Sequence, residues 1–148
     1  MKFQLTGEEA ALKQGLQLLL EAKGHQLAEG GISIVPAPHP EKTLTVSSTG
    51  DRVEIGYCQT VHFFRGMSLV LQHPEDSTYS CRETVWLDEN GLMLDCSRNA
   101  VYRLDFVREY LQMMAFAGMN TLYLYLEDTY EIPEYPYFGQ MGGRYSQQ

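Results

Sequence analysis

The sequence of 148 residues has the size of one ordinary domain, and 44% hydrophobic residues are sufficient for a packed core. The formal net charge is −8, the pI is near 4.9, and the Lys and Arg residues are scattered without forming a basic stripe. We therefore expect neither nucleic acid nor a membrane as a partner, and the sequence shows neither an apolar signal segment nor the roughly 20 apolar residues of a membrane span.

The chain begins with the pattern of a short strand and a helix. Residues 3–5 can form the strand, and Thr6 with Glu9 has the spacing of a capping box, which opens a helix. Leucines at helical spacing mark one apolar face of this helix; they are Leu12, Leu16, Leu19 and Leu20. A glycine inside a helix costs about 1 kcal/mol relative to Ala, so Gly15 predicts a close packing contact.

A strand, a hairpin and a second helix follow. Residues 32–35 read as a strand that Pro36 closes, and the proline-containing segment 36–42 is expected to be an exposed loop. Alternating residues in 44–46 and 53–57 flank a polar turn and predict a hairpin. Residues 63–71 predict the second helix, with Gly66 at another close contact. Residues 82–87 alternate again, and they form either a last strand or a linker.

These elements predict an α+β fold for residues 1–87, which we expect to be one domain. Its sheet would have three or four mainly antiparallel strands, with two helices on one face.

The last third of the chain predicts a strand, a helix, a second strand and an acidic loop. An apolar run at residues 92–94 leads into a polar cluster that includes Asp95 and Arg98, and a helix then ends at Gly118. Residues 121–126 are apolar on both faces, as buried parallel strands are, and lead into Glu127 and Asp128. Because a crossover between parallel strands brings their carboxyl ends to one edge of the sheet, the two polar clusters are expected together.

Two apolar parallel strands cannot bury both faces with a single helix. We therefore expect residues 88–148 to be the first βαβ unit of a larger sheet or barrel whose remainder is missing.

Cysteine and histidine patterns give no sign of a metal or disulfide site. Cys58, Cys81 and Cys96 are odd in number and have no C-x-x-C spacing, which predicts a reducing, cytoplasmic location. The four histidines are dispersed, with no pair at i and i+4. Cys96 follows Asp95 without a histidine beside it, so a packed thiol is favoured over a nucleophile.

Three motifs in the last third resemble a known enzyme family. They are GLMLDCSR from Gly91, MNTLYLYLEDTY from Met119 and YPYFGQMGGRY from Tyr135. In this order and spacing they resemble the opening of the catalytic barrel of family 20 glycoside hydrolases, the β-N-acetylhexosaminidases, in their compact, often bacterial branch. The resemblance implies that residues 88–148 begin a (β/α)8 barrel and that residues 1–87 are the non-catalytic α+β domain before it.

The resemblance also implies substrate-binding or supporting residues. Asp95 and Arg98 match the L-D-x-S-R motif, although spacing alone favours a charged pair at a strand end. Adjacent carboxylates on a strand point to opposite sides, so Glu127 and Asp128 are poorly placed to act as an acid–base couple on one bond. They are expected to line the pocket or to support residues that do.

The terminal loop is rich in aromatic residues, and its arginine, Arg144, is a candidate ligand for a sugar hydroxyl. The aromatic residues are Tyr130, Tyr135, Tyr137, Phe138 and Tyr145. They would either stack on sugar rings or pack the loop on its own barrel, and Tyr130 is counted among the candidate site residues.

Two positions depart from the family pattern. Larger relatives carry an arginine where this sequence has Asn90, and the compact branch usually has one where this sequence has Gly142. These departures bear on sugar specificity.

The resemblance implies a parent enzyme that removes terminal N-acetylhexosamine from glycans without a metal or cofactor. The family's catalytic couple is an Asp-Glu dipeptide on a later strand, so this chain contains no catalytic residue and is expected to be inactive. The alternative is a stand-alone carbohydrate-binding or protein-interaction module without catalysis. Exposed strand edges also predict a possible homodimer.

Overall fold

A computed structural model describes residues 1–7, 10–73, 78–98 and 101–146. The elements in chain order are β1 (Lys2–Leu5), α1 (Ala10–Ala22), β2 (Gln26–Leu27), β3 (Ile32–Pro38), β4 (Thr43–Thr49), β5 (Arg52–Tyr57), α2 (Thr60–Gln72), β6 (Thr78–Thr84), β7 (Gly91–Asp95), α3 (Leu104–Ala117) and β8 (Thr121–Tyr125). The described chain divides into two compact units, residues 1–88 with 115–118, and residues 89–114 with 119–148. None of the helices within the described residues is long and apolar enough to cross a membrane.

The first unit is built on a six-stranded sheet in the order β2-β1-β3-β5-β4-β6. β1, β2, β3 and β5 are parallel neighbours, whereas β4 runs antiparallel to β5 and β6. The α+β class is confirmed, but the prediction of three or four mainly antiparallel strands is wrong. The helix α1 lies between β1 and β3 in the chain, and such a crossover connection returns the next strand parallel to the first.

The prediction that Pro36 closes its strand is also wrong. β3 continues to Pro38, with Pro36 opposite Ile55 of β5. The pairing of β1 with β3 ends at Ile34, so beyond it β3 has β5 as its neighbour within the described residues. A proline is tolerated there because its missing N–H is not needed on the unpaired side.

The hairpin and both helices are confirmed. β4 and β5 pair antiparallel around the predicted turn, and α1 and α2 pack their apolar faces on the sheet in one continuous core. The predicted capping box includes Glu9, which lies outside the described residues, while the hydroxyl of Thr6 donates to the carbonyl of Ile34. Residues 85–87 do not extend β6, so the segment after Thr84 leaves the sheet.

Both helix glycines are at close contacts, as predicted. A Cβ on Gly15 would lie 2.6 Å from Cζ of Phe64, and a Cβ on Gly66 would lie 2.6 Å from Cγ2 of Ile55. α1 therefore approaches α2, and α2 approaches the sheet, closely enough that no side chain fits between them.

The second unit contains the predicted strand, helix and strand. β7 and β8 are parallel and in register from Gly91 opposite Thr121 to Asp95 opposite Tyr125. A Cβ on Gly91 would overlap the carbonyl of Thr121, so the start of β7 requires glycine. Leu94 is the buried residue of β7, whereas Met93 is exposed. The apolar residues of this pair are thus only partly covered.

Candidate functional site

The carboxyl ends of β7 and β8 place charged side chains of both strands together. Nη1 of Arg98, which follows β7, lies 3.4 and 3.3 Å from the two carboxylate oxygens of Glu127, which follows β8. Nε of Arg98 lies 3.9 Å from Oδ2 of Asp95. One guanidinium thus joins the two carboxylates, as the parallel topology predicts for groups at one sheet edge.

Ser97 fixes the carboxylate of Asp95. Oδ1 of Asp95 accepts a hydrogen bond of 2.9 Å from the backbone N–H of Ser97 and one of 2.6 Å from its hydroxyl. The same hydroxyl oxygen accepts a 3.0 Å bond from Arg98. Because these donors favour the charged form, Ser97 first and Arg98 after it lower the pKa of Asp95.

Tyr125 performs the equivalent role for Glu127. Its hydroxyl donates a 2.7 Å hydrogen bond to Oε1 of Glu127. This bond, followed by the interaction with Arg98, lowers the pKa of Glu127. The same bond raises the pKa of Tyr125, and the charge of Arg98 opposes that rise in part. Glu127 reciprocally raises the pKa of Arg98. The four residues Asp95, Arg98, Tyr125 and Glu127, which we call the strand-end cluster, therefore carry two carboxylates and one guanidinium at neutral pH.

Glu127 has an unusual backbone conformation. Its φ is +47°, the one positive value among the non-glycine residues that the structure describes. This left-handed conformation is uncommon for a residue with a side chain. It ends the extended path of β8 and turns the chain between Glu127 and Asp128.

Asp128 is exposed and borders a separate shallow depression. The depression has a volume of about 170 Å³, and its lining also includes Ser97, Thr129 and the glycine-rich segment 139–143. Gly139, one of the lining residues, approaches the backbone of Asp128 so closely that a Cβ there would overlap the carbonyl oxygen of Asp128. The hydroxyl of Thr129 donates to the carbonyl of Leu126 at 2.6 Å, which fixes the turn.

Arg144 braces the terminal loop. Its Nη1 donates to the carbonyl of Phe138 at 2.6 Å and lies 3.4 Å from the carbonyl of Pro136, while Nε lies 3.7 Å from the carboxylate of Glu131. These contacts involve Nη1 and Nε of Arg144. The assignment of Arg144 to a sugar hydroxyl stays a prediction.

The aromatic residues of the loop divide into two groups. Tyr130 packs edge-on against Phe138, with ring centroids 5.3 Å apart, and the hydroxyl of Tyr145 donates to the carbonyl of Tyr102 at 3.0 Å. Burial is the main reason that the pKa of Tyr145 is raised. In contrast, Tyr135 is 67% exposed and Tyr137 is 79% exposed. The first group holds the loop together, and the second presents aromatic surface to solvent.

The two positions that depart from the family pattern differ in their surroundings. The backbone N–H of Asn90 donates to the side chain of Asn120 at 2.8 Å, and the N–H of Asn120 donates to the carbonyl of Asn90. Asn90 thus ties together the starts of β7 and β8. A Cβ on Gly142 would meet no atom within 4 Å, so a side chain at this position has room.

The sequence contains one Asp-Glu dipeptide, Asp88-Glu89, and it lies before β7. Asp88 is 2.5 Å from the Nζ of Lys42, and Glu89 accepts a 3.4 Å hydrogen bond from Tyr123. The Asp88-Glu89 dipeptide therefore lies at the amino end of β7, whereas Asp95 lies at its carboxyl end. Among the described residues, no three His, Cys, Asp or Glu side chains are grouped closely enough to hold a metal ion.

Sequence reasoning missed two residues that shape the site, Tyr125 and Gly139, and it placed Ser97 in the polar cluster after the strand without giving it a role. The contact between Tyr125 and Glu127 could have been predicted, because residues two apart on a strand share a face and Glu127 is two residues after Tyr125. Ser97 stands inside the quoted motif beside Asp95. Gly139 had no such signal, since its role depends on the carbonyl of Asp128, which is distant in sequence.

A scan of protein-family models and a search of curated proteins find no match to this sequence. Solved structures with the same fold do match. A chitobiase from Flavobacterium johnsoniae has a TM-score of 0.72 and 17% identity, covering 99% of this chain and 28% of its own. A β-hexosaminidase from Streptomyces plicatus, solved with its product GlcNAc, has a TM-score of 0.71 and 19% identity, covering 97% and 36%. The resemblance to family 20 is therefore confirmed at the level of the fold.

The fold is not restricted to one sugar chemistry. A family 138 glycoside hydrolase that targets pectin rhamnogalacturonan II also matches, with a TM-score of 0.56 and 14% identity over 95% of this chain. The chain spans about a third or less of the length of the structures that it matches. At these identities the comparisons show the fold alone.

Proposed function

We propose that this chain is the N-terminal part of a β-N-acetylhexosaminidase-like glycosidase, which hydrolyses terminal N-acetylhexosamine residues of glycans. The observation that supports this proposal is that the local sequence motifs and the fold of the whole chain point to the same enzyme family. The motifs of family 20 fall at the carboxyl ends of β7 and β8, and nearly the whole chain, 97–99% of it, superposes on solved enzymes of that family.

In this proposal the strand-end cluster and Asp128 form part of the rim of the sugar site. Ionised Asp95 and Glu127 accept hydrogen bonds from sugar hydroxyls, and Arg98 donates them. The exposed rings of Tyr135 and Tyr137 offer faces on which a sugar ring stacks. Arg144 and Tyr130 hold the loop that carries these rings.

The same electrostatics argue against a general-acid role for these carboxylates. A general acid for glycoside hydrolysis needs a raised pKa so that it holds a proton at neutral pH. The pKa values of Asp95 and Glu127 are both lowered, so neither holds that proton. We therefore assign the reaction to groups on later strands of a longer protein. There a Glu acts as general acid and base, an Asp orients the acetamido group, and the acetamido oxygen of the substrate is the nucleophile.

The proposal is tested with a chromogenic N-acetylglucosaminide. We expect no detectable turnover by the 148-residue chain, because one helix and two strands cannot enclose a sugar and exclude water. A chain extended by the residues that follow Gln148 in its reading frame should hydrolyse the substrate. Hydrolysis by the 148-residue chain at a rate typical of glycosidases would mean that its own carboxylates must be the catalytic pair.

Variants of the extended chain test the rim. Arg98→Ala and Asp128→Ala should each lower kcat/KM at least about tenfold, the loss expected for one charge-assisted hydrogen bond of about 1.5 kcal/mol. Arg82→Ala is the matched control, because Arg82 is an exposed arginine of β6 that pairs with Glu41. An extended chain that binds N-acetylglucosamine without turnover, or a frame that stops at Gln148, would instead favour a carbohydrate-binding module.

A further inference from the structure

A cysteine and a histidine lie in contact at the start of α2, outside the strand-end cluster. Sγ of Cys58 is 3.3 Å from Nδ1 of His62. Cys58 follows the last residue of β5 and is half-buried, so solvent reaches part of it. His62 lies in the first turn of α2 and is 8% exposed. This is the arrangement of a nucleophile with an adjacent base.

The surroundings keep the imidazole in the form that accepts a proton. Burial lowers the pKa of His62, and the charge of Glu83 opposes this effect in part. The carboxylate of Glu83 is itself held by Arg65, at 2.8 and 3.2 Å, which offsets its charge. His62 is therefore neutral at pH 7, and Nδ1 can accept the proton of the Cys58 thiol when Nε2 carries the ring hydrogen.

Cys58 also lies at the N-terminal end of a helix. Cys58 immediately precedes Gln59, the N-cap of α2, and the side chain of Gln59 forms no capping hydrogen bond. The first N–H groups of this 13-residue helix point toward this end and carry a partial positive charge.

The other two cysteines provide an internal comparison. Cys96 is fully buried, with its sulfur 3.9 Å from the carbonyl of Leu94 and 3.8 Å from the hydroxyl of Tyr145. Cys81 is half-buried on β6, where Tyr79 is its interacting neighbour. Within the described residues, Cys58 is the cysteine with a hydrogen bond to histidine.

We propose that Cys58 and His62 form a reactive thiol site whose substrates are low-molecular-weight disulfides, and that Cys58 is modified there by S-thiolation. The Cys58 sulfur attacks one sulfur of the disulfide, and its proton passes to Nδ1 of His62. A new S–S bond forms between Cys58 and the small molecule, while the original S–S bond breaks. The departing thiolate takes the proton from His62 and leaves as a free thiol, so no further oxidant is needed.

The test uses the native 148-residue chain and dithiodipyridine, a neutral disulfide that releases a coloured thione on reaction. Rates are assigned to individual cysteines by peptide mass spectrometry. At pH 7, Cys58 should react about tenfold faster than Cys81, because His62 is placed to take the thiol proton of Cys58 as the sulfur attacks. Cys96 should react most slowly.

Substitution separates the role of the imidazole from simple exposure. His62→Asn should slow Cys58 about tenfold, to the rate of Cys81, whereas His73→Asn at the other end of α2 should not change it. In guanidinium chloride the rates of the three cysteines should converge, because the effect depends on the fold. If circular dichroism shows that His62→Asn does not fold, the comparison of the native and denatured rates tests the proposal instead. Cys58 reacting no faster than Cys81 in the native chain, or at full rate in a folded His62→Asn variant, overturns the proposal.

Discussion

The hydroxyl of Tyr125 donates a 2.7 Å hydrogen bond to the carboxylate of Glu127, two residues further along the chain. Both side chains thereby stay on the same side of the chain even though Glu127 leaves the extended conformation, with φ at +47°. The bond is the largest cause of the lowered pKa of Glu127, ahead of the contact with Arg98. A neutral phenol is therefore the first-ranked cause of the lowered pKa of Glu127.

Tyr125→Phe and Arg98→Ala should each raise the pKa of Glu127 toward its ordinary value. Removing a donor to the ionised form costs the carboxylate its stabilisation, so the pKa rises. Carbon-detected NMR titration of the glutamate side chains measures both shifts. Tyr123→Phe is the matched control, because Tyr123 is the neighbouring tyrosine of β8 and donates to Glu89. An unchanged pKa of Glu127 in Tyr125→Phe would show that the hydrogen bond does not stabilise the carboxylate.

Gly66→Ala should destabilise the first unit by about 1–3 kcal/mol, the usual cost of forcing an extra methyl group into a packed core. The new Cβ would lie 2.6 Å from Ile55 and 3.2 Å from Leu44, so α2 must move away from the sheet. Urea unfolding measures the loss. Gly142→Ala, where the Cβ meets open space, should leave stability unchanged. Equal effects of the two substitutions would contradict the close approach of α2.

The stability of the chain should fall as the pH decreases from about 7 to 5, in part because of His62. A base with a lowered pKa in the folded state binds fewer protons than the unfolded chain, so unfolding becomes easier below the unfolded pKa of about 6.5. His25, whose pKa is lowered by burial and by the N-terminal amine, acts in the same direction. His62→Asn should therefore show a shallower decline in the free energy of unfolding over this range.

Glu83→Gln provides the opposite control for this pH dependence. The charge of Glu83 raises the pKa of His62, so removing it should lower that pKa further and steepen the decline. Urea unfolding at several pH values compares the slopes of the variants. A His62→Asn variant with the slope of the original chain would show that other groups account for the whole decline.

Local signals in the sequence predicted β7, α3 and β8 within a few residues. Apolar runs were bounded by polar clusters, and Gly118 ended the helix with φ at +78°. The connectivity of the larger sheet was not predictable in this way. Strand direction depends on the path of the connection between strands, and the two-residue β2 is too short to show an alternating pattern.

The candidate site, too, could be predicted only in part from the sequence. Asp95, Arg98 and Glu127 were predicted to lie together because strand ends and charged residue types are visible in the sequence. The contacts of Arg144 with the carbonyls of Pro136 and Phe138 were not predicted. Every residue has a backbone carbonyl, so the sequence does not show which carbonyls an arginine contacts.

Residues 1–87 should fold independently of the rest of the chain. β6 ends at Thr84, and the segment after it is exposed, with Trp86 85% and Leu87 61% accessible to solvent. Limited chymotrypsin digestion should cut after Leu87 and leave a stable N-terminal fragment that ends there. The absence of such a fragment at any digestion time would contradict an independent first domain.

The exposed side of β8 should make the chain self-associate, or else leave residues 121–125 in a rearranged conformation. Within the described residues β7 and β8 form a sheet of two strands, and Tyr123, Leu124 and Tyr125 are 57%, 47% and 43% exposed. Unpaired apolar strand edges recruit other chains. Light scattering should therefore give a mass above 16.9 kDa that rises with concentration.

A charged substitution on β8 distinguishes pairing of strand edges from nonspecific hydrophobic association. Leu124→Lys should restore the monomer, because a charged side chain on an exposed edge strand opposes pairing with a second copy. Leu18→Lys is the control: Leu18 is an exposed leucine of similar accessibility, 52%, but it lies on α1 and offers no strand edge. The lysine at position 18 should leave the association unchanged. If both substitutions restore the monomer, the association depends on total apolar surface rather than on β8. If the original chain is a monomer with sharp, dispersed NMR signals for residues 121–125, the edge of β8 is already protected and the prediction is wrong.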